Sequence, residues 1–295
     1  MKLKKYITSI AIIACTLGLT VGCSSSESED TKTNQVNQGE EVVVATSVAV
    51  TEILDALGVR VSGVPTTSYE LPESTKDAVK VGQPMSPDLE IIKSLNPTCV
   101  VSVDTLGSDY ENLFVENNIP SEFVNLQNLD GLKEAILNLG KRFDKFDEAN
   151  KILQDLEDKQ WEVKNNSKTK ESQNVLIIFG APGSMMVATD NSYVGNLVEI
   201  AGGNNIFKGT NSSFMQVNME EIIKSNPDKI LVMTHGVVEE AKKHVQNELS
   251  KNTSWKNVKA VQNNEVHYLE NEYFGMSANL HVMEALEKLG VILYE

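Results

Sequence analysis

A charged segment of helical period, from Asp144 to about Lys168, contains neither Pro nor Gly and divides the chain into two halves. Its large apolar residues are spaced as one helical stripe: Phe146, Ala149, Ile152, Leu153, Leu156 and Trp161. On both sides of it, short apolar runs alternate with segments of helical period, which is typical of α/β layers with parallel strands. The sequence therefore predicts two Rossmann-like α/β lobes, at 41–143 and 171–295, joined by a single long helix at 144–170.

The strongest strand signals are runs of β-branched residues that suit a strand buried on both faces. They predict strands at Glu41–Ala45, Thr98–Val103, Asn174–Phe179 and Lys229–Met233. Helices are predicted near 48–57, 87–95, 109–117, 132–139, 193–201 and 219–225. Cys99 falls inside one of these strands and is interpreted as a buried apolar residue.

A weak internal repeat supports the division into two lobes. The stretch Pro87–Pro97 aligns without gaps on Val217–Pro227, with four identities, and an apolar strand follows each copy. Each copy is predicted to be a helix that passes into a strand through Asn-Pro. Duplication of a lobe and chance likeness of two helix–strand units both remain open. In the first copy, Ser86 is predicted as N-cap with Pro87 at the first helical position, which places Met85 in the preceding loop.

The N-terminus has the parts of an export signal. Three lysines precede an apolar run, Ile7–Val21, that is short for a membrane-spanning helix and stops at Gly22-Cys23. Leu19-Thr-Val-Gly-Cys23 resembles a bacterial lipobox, with Thr20 where Leu is commonest. We expect a signal peptide at 1–22 and a lipidated Cys23, with a polar, flexible tether at 23–40. An ordinary signal peptide with an incidental cysteine is the alternative.

The net charge limits the possible binding partners, and the cysteine count limits the possible disulfides. Removal of residues 1–22 takes away three Lys and no acidic residue, so the formal charge goes from −15 to −18. A chain this acidic is an unlikely partner for nucleic acid, so no nucleic-acid partner is predicted. Cys99 is the one cysteine in the predicted lobes, so no disulfide can form within them and the cores must stabilise the fold alone.

Several motifs carry a resemblance to a known family. They are Gly82-Gln-Pro-Met85-Ser-Pro87, Pro182-Gly-Ser184, Val187-Ala-Thr-Asp190, Ala201-Gly-Gly203, His235-Gly236 and Phe274-Gly275. With them the chain resembles the substrate-binding lipoproteins of ABC importers whose two α/β lobes are bridged by one helix, and most closely the haem receptors of the iron-regulated surface determinant system. The similarity covers nearly all of residues 42–290. It implies a haem site between the lobes, with Met85 and His235 as the axial ligands of the iron.

The residues are compatible with that assignment by themselves. His235 directly follows a predicted strand, and ligands of open α/β sheets gather at the carboxyl ends of the strands. A thioether and an imidazole are a known axial pair for haem iron, which leaves no open position for oxygen chemistry. Considered alone, Met85 is better interpreted as a loop residue that packs on the core. His235 considered alone could equally be a residue at the end of a strand that is hydrogen-bonded to the backbone. His281, in a predicted terminal helix, could approach the cleft, but a surface role is the favoured interpretation.

Further site residues follow from loop position or from the resemblance. Loops that should face the cleft supply the candidate haem walls: Val48, Ala49, Tyr69, Tyr273 and Phe274. The helix start after Thr46-Ser47 offers free N–H groups to a propionate. Glu90 and Glu220, matched in the repeat, resemble the acidic residues with which such receptors meet basic sockets on the permease.

The sequence thus predicts a non-enzymatic, monomeric haem receptor, anchored by lipid on the outer face of the cell membrane of a bacterium of Gram-positive type. Its implied partners are an ABC permease with its ATPase and an upstream haem-donor surface protein. An iron-siderophore or corrinoid receptor of the same fold is the alternative, although Arg60 and Arg142 lie in no clear ligand motif. A zinc or manganese receptor is less well supported, because the four scattered histidines do not form a convincing ligand set. A hydrolase is less well supported because its nucleophile motif is missing. A haem peroxidase would need an open axial position on the iron, which two axial ligands do not leave.

Overall fold

A computed structural model of the protein describes residues 41–295. The predicted signal peptide, Cys23 and the tether therefore lie outside the described residues. Within the described part of the chain, no helix is both long and apolar enough to span a membrane.

The first lobe is built on a parallel sheet. Its elements are β1 (Val43–Ala45), α1 (Val48–Ala56), β2 (Val61–Val64), β3 (Val79–Lys80), β4 (Gly82–Gln83), β5 (Ser86–Pro87), α2 (Leu89–Ser94), β6 (Cys99–Val103), α3 (Ser108–Glu116), β7 (Ser121–Val124) and α4 (Leu129–Arg142). The strand order is β3-β2-β1-β6-β7, and β4 pairs with β5 in a separate antiparallel hairpin. Strand β6, which lies between β1 and β7, is buried along its whole length, as its β-branched sequence predicts for a strand covered on both faces. Burial raises the pKa of the Cys99 thiol to about 11.

The second lobe repeats this plan with an added hairpin. After the connecting helix α5 (Phe146–Ser167) come β8 (Asn174–Ala181), β9 (Ser184–Ala188), α6 (Tyr193–Ile200), β10 (Asn204–Asn205), β11 (Phe214–Gln216), α7 (Met219–Ser225), β12 (Lys229–Thr234), α8 (Val238–Lys251), α9 (Lys259–Gln262), β13 (Val266–Tyr268) and α10 (Val282–Tyr294). Strands β10, β8, β12 and β13 are parallel, whereas β9 and β11 form an antiparallel edge beside β8.

Short 3₁₀ segments complete the described chain: Glu73–Thr75, Asp104–Leu106 and Thr253–Asn257.

The connecting helix α5 contacts α4 of the first lobe and α10 of the second. One continuous core includes Ile53 of the first lobe, Leu156 of α5 and Leu286 of α10. Separation of the lobes would expose this shared core to water, which opposes wide opening. The exact lobe boundaries at 143/144 and 170/171 stay a prediction.

Two sequence predictions about the helices are wrong in detail. In α5, Ala149 and Leu156 are buried as expected, but Trp161 is 70% exposed because its position lies off the buried stripe. The helix after Met85 begins at Leu89, not at Pro87. Ser86 and Pro87 instead pair with Gln83 and Gly82, and the Asp88 carboxylate caps the helix by accepting from the N–H groups of Glu90 and Ile91, at 3.0 and 3.1 Å.

The internal repeat is matched in backbone conformation. Helices α2 and α7 are capped at equivalent positions, by Asp88 and Asn218. Asn96 and Asn226 both adopt left-handed φ angles, of 50° and 43°, after their helices. In each copy the chain then enters a buried strand, β6 or β12, so the likeness extends beyond the identical residues.

Candidate functional site

A cavity of about 820 Å³ opens between elements of the first and second lobes. It is lined from the first lobe by α1, by the loop at 68–72 and by Pro84. From the second lobe it is lined by the end of β12 and by the segment that precedes α10. The walls on the second-lobe side comprise Thr234, His235, Asn271, Glu272, Gly275, Met276, Ser277, Asn279, Leu280 and His281. The volume lies within the usual range for small-molecule sites, which is roughly 300–1,000 Å³.

The start of α1 forms one wall because β1 ends directly at the cavity. Ser47 is the N-cap, and its Oγ accepts a hydrogen bond from the Val50 N–H at 3.3 Å. The Thr46 hydroxyl donates to Ser102 Oγ at 2.8 Å and so ties the end of β1 to β6. Val48 and Ala49, two of the predicted wall residues, then face the cavity, and their contact with haem stays a prediction.

Met85 lies at the turn of the β4–β5 hairpin, next to the wall residue Pro84. Its side chain is 71% exposed and is not part of the cavity lining. The hairpin is held by hydrogen bonds at its base, from the Thr66 N–H to the Gly82 carbonyl at 2.7 Å and from the Asp88 N–H to the Val81 carbonyl at 2.8 Å. Gly82 has a φ of 96°, and an added Cβ would lie 2.7 Å from the Asp88 nitrogen, so glycine is required there.

His235 lies in the cavity wall at the carboxyl end of β12, where the sequence predicted a ligand site. Its N–H donates to the Gly180 carbonyl at 2.9 Å, which extends the β12–β8 pairing by one residue. Its ring is stacked on Phe179, with centroids 6.1 Å apart and planes at 28°. Gly236 follows with a φ of 76°, so the chain turns away immediately after the histidine.

The end of β12 is also fixed from the cavity side. The Thr234 hydroxyl donates to Asn271 Oδ1 at 2.7 Å, and Asn271 Nδ2 donates to the Thr234 carbonyl at 2.6 Å. This reciprocal pair joins the residue before His235 to the segment that precedes α10. Among residues 41–295, the His235 imidazole makes no side-chain hydrogen bond, so both ring nitrogens are available to a ligand.

The other predicted wall residues divide into two groups. Tyr69 lines the cavity from the loop at 68–72. Phe274 does not, contrary to the expectation, because it is only 1% exposed and packs into the shared core. Tyr273 also lies behind the wall, where Lys288 Nζ stands 4.5 Å above its ring.

Comparison with known proteins identifies the family. The family model for the periplasmic binding protein matches residues 43–273. The chain belongs to the periplasmic binding protein family. The high-affinity heme uptake system protein IsdE of Staphylococcus aureus strain Newman is 37% identical to it over 296 residues, which cover 100% of this chain and 99% of the relative. The fold-class prediction and the predicted resemblance to that group of receptors are thereby confirmed.

Solved structures of related periplasmic binding proteins have the same architecture. The structure of S. aureus IsdE complexed with haem has a TM-score of 0.83 at 38% identity, and the match covers 87% of this chain and 100% of that one. An ABC transporter substrate-binding protein from Listeria monocytogenes EGD-e has a TM-score of 0.82 at 39% identity, with coverage of 87% and 99%. Both are similar over essentially their whole length.

In this periplasmic binding protein the cavity also contains a polar pair, Glu52 and His281, that the sequence does not predict. Glu52 on α1 and His281 at the start of α10 both line the cavity, with His281 Nε2 3.6 Å from Glu52 Oε1. The expected surface role of His281 is wrong, because its ring lies edge-on to Tyr273 and its imidazole faces Glu52. A signal is present in the sequence, since Glu52 is the one charged residue in the stretch from Val48 to Leu54.

Burial is the main influence on the Glu52 carboxyl. The side chain is 18% exposed, and its Oε2 atom is buried without a hydrogen-bond partner among the described residues. Desolvation therefore raises the pKa of Glu52, while the neighbouring His281 acts in the opposite direction and lowers the size of the shift. The Glu272 carboxylate, which also lines the cavity, adds to the upward shift.

The free energy of unfolding of Glu52→Gln, relative to that of wild type, is expected to increase as the pH rises. A raised pKa means that folded Glu52 binds its proton more tightly than unfolded Glu52, so its contribution to stability is present at low pH and is lost as the pH rises through the folded pKa. Gln cannot ionise and avoids this loss. Urea unfolding of both proteins from pH 4 to pH 8 measures the difference.

The matched control for that series is Glu90→Gln, because Glu90 is an exposed glutamate paired with Lys93 on the surface. Its difference from wild type is expected to stay nearly constant over the same pH range. A stability difference between Glu52→Gln and wild type that shrinks as the pH rises would contradict the assignment.

Proposed function

We propose that the protein is the haem-binding component of an ABC importer, which holds haem between its two lobes and delivers it to a permease for iron acquisition. The observation that carries the proposal is the His235 imidazole, which lies in the wall of a cavity between the lobes and has no hydrogen-bond partner among residues 41–295. The proposal is further supported by the similarity of the whole chain to a haem uptake protein and by its structural similarity to that protein complexed with haem.

His235 is the proposed axial ligand on the second-lobe side. Its ring orientation is held by stacking on Phe179, and its backbone is held by the sheet and by the Thr234–Asn271 pair. A neutral imidazole with a free ring nitrogen is a good ligand for haem iron.

Met85 is the proposed ligand on the first-lobe side. It lies on a hairpin turn beside Pro84, which lines the cavity, so its Sδ has to turn towards the cavity when haem binds. A long unbranched thioether can do so at small conformational cost, because the backbone of the hairpin is already fixed. With both ligands bound, the iron would have no open position, which suits transport and disfavours peroxidase chemistry.

The proposed site walls are the residues that actually face the cavity. Val48, Ala49 and Tyr69 line it directly. Tyr273 and Phe274 support the wall from behind, since Phe274 belongs to the core and Tyr273 packs against it. Val48, Ala49 and Tyr69 are therefore the residues proposed to contact the macrocycle.

We also propose lipidation of Cys23 after cleavage of residues 1–22, which would anchor the protein on the outer face of a Gram-positive cell membrane. The proposed partners are a permease, its ATPase and an upstream haem donor at the cell surface. The protein is proposed to act as a monomer without catalytic activity. The pattern of Lys2 to Cys23 supports the anchor, and the ABC transporter relative from Listeria supports the transport system.

The experiment that tests the proposed function is an absorbance titration of the purified protein with ferric haem. Saturation at one haem per chain with a low-spin spectrum supports haem binding by a bis-axial site. Absence of a stoichiometric complex would refute it. Corrinoids and ferric siderophores, the cargoes of the alternative receptor class, would then be titrated in the same way.

Glu90 and Glu220 are proposed to dock the permease. Both lie exposed in the first turns of the matched helices α2 and α7, one in each lobe. Replacing both with Lys is expected to reduce haem uptake into proteoliposomes that contain the transporter by about tenfold, because like charges would face the basic sockets. Haem affinity in solution should stay unchanged. Glu116→Lys with Glu157→Lys, two exposed acids elsewhere, is the control, and equal loss of uptake in the control would refute the docking role.

A further inference from the structure

The methionine proposed to bind the iron is also the described methionine most open to solvent. Of the nine methionines in the sequence, Met1 lies outside the described residues. Among the others, Met85 is 71% exposed and Met276 is 43% exposed, whereas the rest are half-buried or, like Met233, buried. A reagent dissolved in water therefore reaches the Met85 side chain more readily than any other methionine in residues 41–295.

The backbone of the β4–β5 hairpin sets this exposure. Pro84 and Met85 form the tip, between the two paired strands. The Tyr110 hydroxyl of α3 donates to the Pro84 carbonyl at 3.3 Å and holds the tip on the first lobe. At the base of the hairpin, the Asp88 N–H donates to the Val81 carbonyl at 2.8 Å. Because the backbone is held at both ends, the Met85 sulfur can be covered only by rotation of its own side chain.

Oxidation at this position would have a defined chemical consequence. A thioether binds haem iron as a soft, neutral donor, through a lone pair on its sulfur. Addition of one oxygen converts methionine into a polar, chiral sulfoxide, which no longer offers that donor. Met276 also lines the cavity, but it is not a proposed ligand, so its oxidation removes no bond to iron. Among the exposed methionines of residues 41–295, only Met85 thus couples oxidation to loss of a proposed ligand.

We propose that Met85 is a redox-sensitive modification site, at which hydrogen peroxide weakens haem capture by the haem-free protein. This inference rests on the proposed haem function. The Met85 sulfur attacks one oxygen of the peroxide, the O–O bond breaks and an S–O bond forms. The second oxygen takes up the proton of the first and leaves as water, so that sulfur loses two electrons and the peroxide is reduced. Methionine sulfoxide reductases reverse the change, which makes the modification a switch.

Mass spectrometry of the haem-free protein tests the accessibility of the site. The full chain is treated with hydrogen peroxide, catalase ends the reaction at intervals, and the sulfoxide content of each methionine peptide is measured. Met85 is expected to be oxidised faster than every other methionine in residues 41–295, and about tenfold or more faster than the buried Met233. Oxidation of Met85 no faster than that of Met233 would overturn the inference.

Titration with ferric haem, after catalase has removed the peroxide, tests the consequence. The oxidised protein is expected to bind haem about tenfold more weakly than the untreated protein, with the spectrum of haem that lacks one axial ligand. Treatment with reductases for both sulfoxide epimers should restore the affinity and the low-spin spectrum. An unchanged affinity and spectrum in protein whose Met85 is fully oxidised would contradict the switch.

Two variants assign the effect to a residue, each compared with its own untreated sample. Met85→Leu has no sulfur at the hairpin tip, so peroxide should leave its haem affinity where it was before treatment. Met276→Leu lacks the other exposed thioether, and peroxide should still lower its affinity about tenfold. A loss of that size in treated Met85→Leu would place the sensitive site elsewhere and refute the inference.

Failure of the switch is distinguishable from failure of the proposed function. If the untreated protein binds no haem, the haem receptor proposal fails, and the inference fails with it. If the untreated and the fully oxidised proteins bind haem equally well, only the inference about Met85 fails.

Discussion

Replacing His235 with Ala is expected to weaken haem binding by about 100-fold, which corresponds to about 2.8 kcal/mol of binding free energy. The imidazole is proposed to be the iron ligand on the second-lobe side, and the preformed stacking on Phe179 means that little ordering cost offsets its bond to iron. The low-spin spectrum should also change to that of haem with one axial ligand missing. Absorbance titration with ferric haem gives both the affinity and the spectrum.

The matched control is His244→Ala, since His244 lies on α8 and does not line the cavity. Its affinity and spectrum should equal those of wild type. Met85→Ala should change the spectrum as well, with a smaller loss of about tenfold, because the exposed Met85 must turn inwards to bind and a thioether is a weaker ligand. Wild-type affinity and spectrum in His235→Ala would exclude His235 as an iron ligand.

Much of the fold could be predicted because the buried strands are rich in apolar, β-branched residues, and this composition is typical of strands covered on both faces. The predicted strands at 98–103 and 229–233 agree closely with β6 and β12, in which apolar residues occupy both faces of the strand apart from Ser102 and the end residues Lys229 and Thr234. The placement of His235 followed directly, since the end of a buried parallel strand is set by local sequence. The hairpin β8–β9 and its partner β11 were not predicted, because antiparallel edge pairing depends on distant segments that no local pattern reveals.

The cavity walls were harder to predict than the cavity's position. Tyr273 and Phe274 are adjacent loop residues, and sequence alone does not say which way a loop side chain points; the structure directs Phe274 into the core. His281 was misjudged for the same reason, since its partner Glu52 is more than 200 residues away in sequence. Met85 lies next to the cavity as predicted, but in a hairpin turn, because Ser86 pairs with Gln83 and the N-cap of the following helix is Asp88.

Trp255→Ala is expected to destabilise the protein by about 3–5 kcal/mol, the largest stability effect anticipated for a single residue here. Trp255 is 0% exposed and packs in the second-lobe core, in the same cluster as Ile222, Ile230 and Val232. Truncation would leave a cavity beneath β12, the strand that carries His235. The melting temperature, followed by far-ultraviolet circular dichroism, should fall by roughly 10 °C for a protein of this size.

Trp161→Ala supplies the control for that measurement with the same chemical change. Trp161 is 70% exposed on α5, so its removal should change stability by less than about 0.5 kcal/mol. Comparison of the two variants therefore shows how much of the destabilisation comes from the burial of the indole at position 255. Because β12 positions the His235 backbone, folded Trp255→Ala should also bind haem more weakly at temperatures well below its melting point, whereas Trp161→Ala should not. Equal melting temperatures for the two variants would show that the second-lobe core does not depend on Trp255.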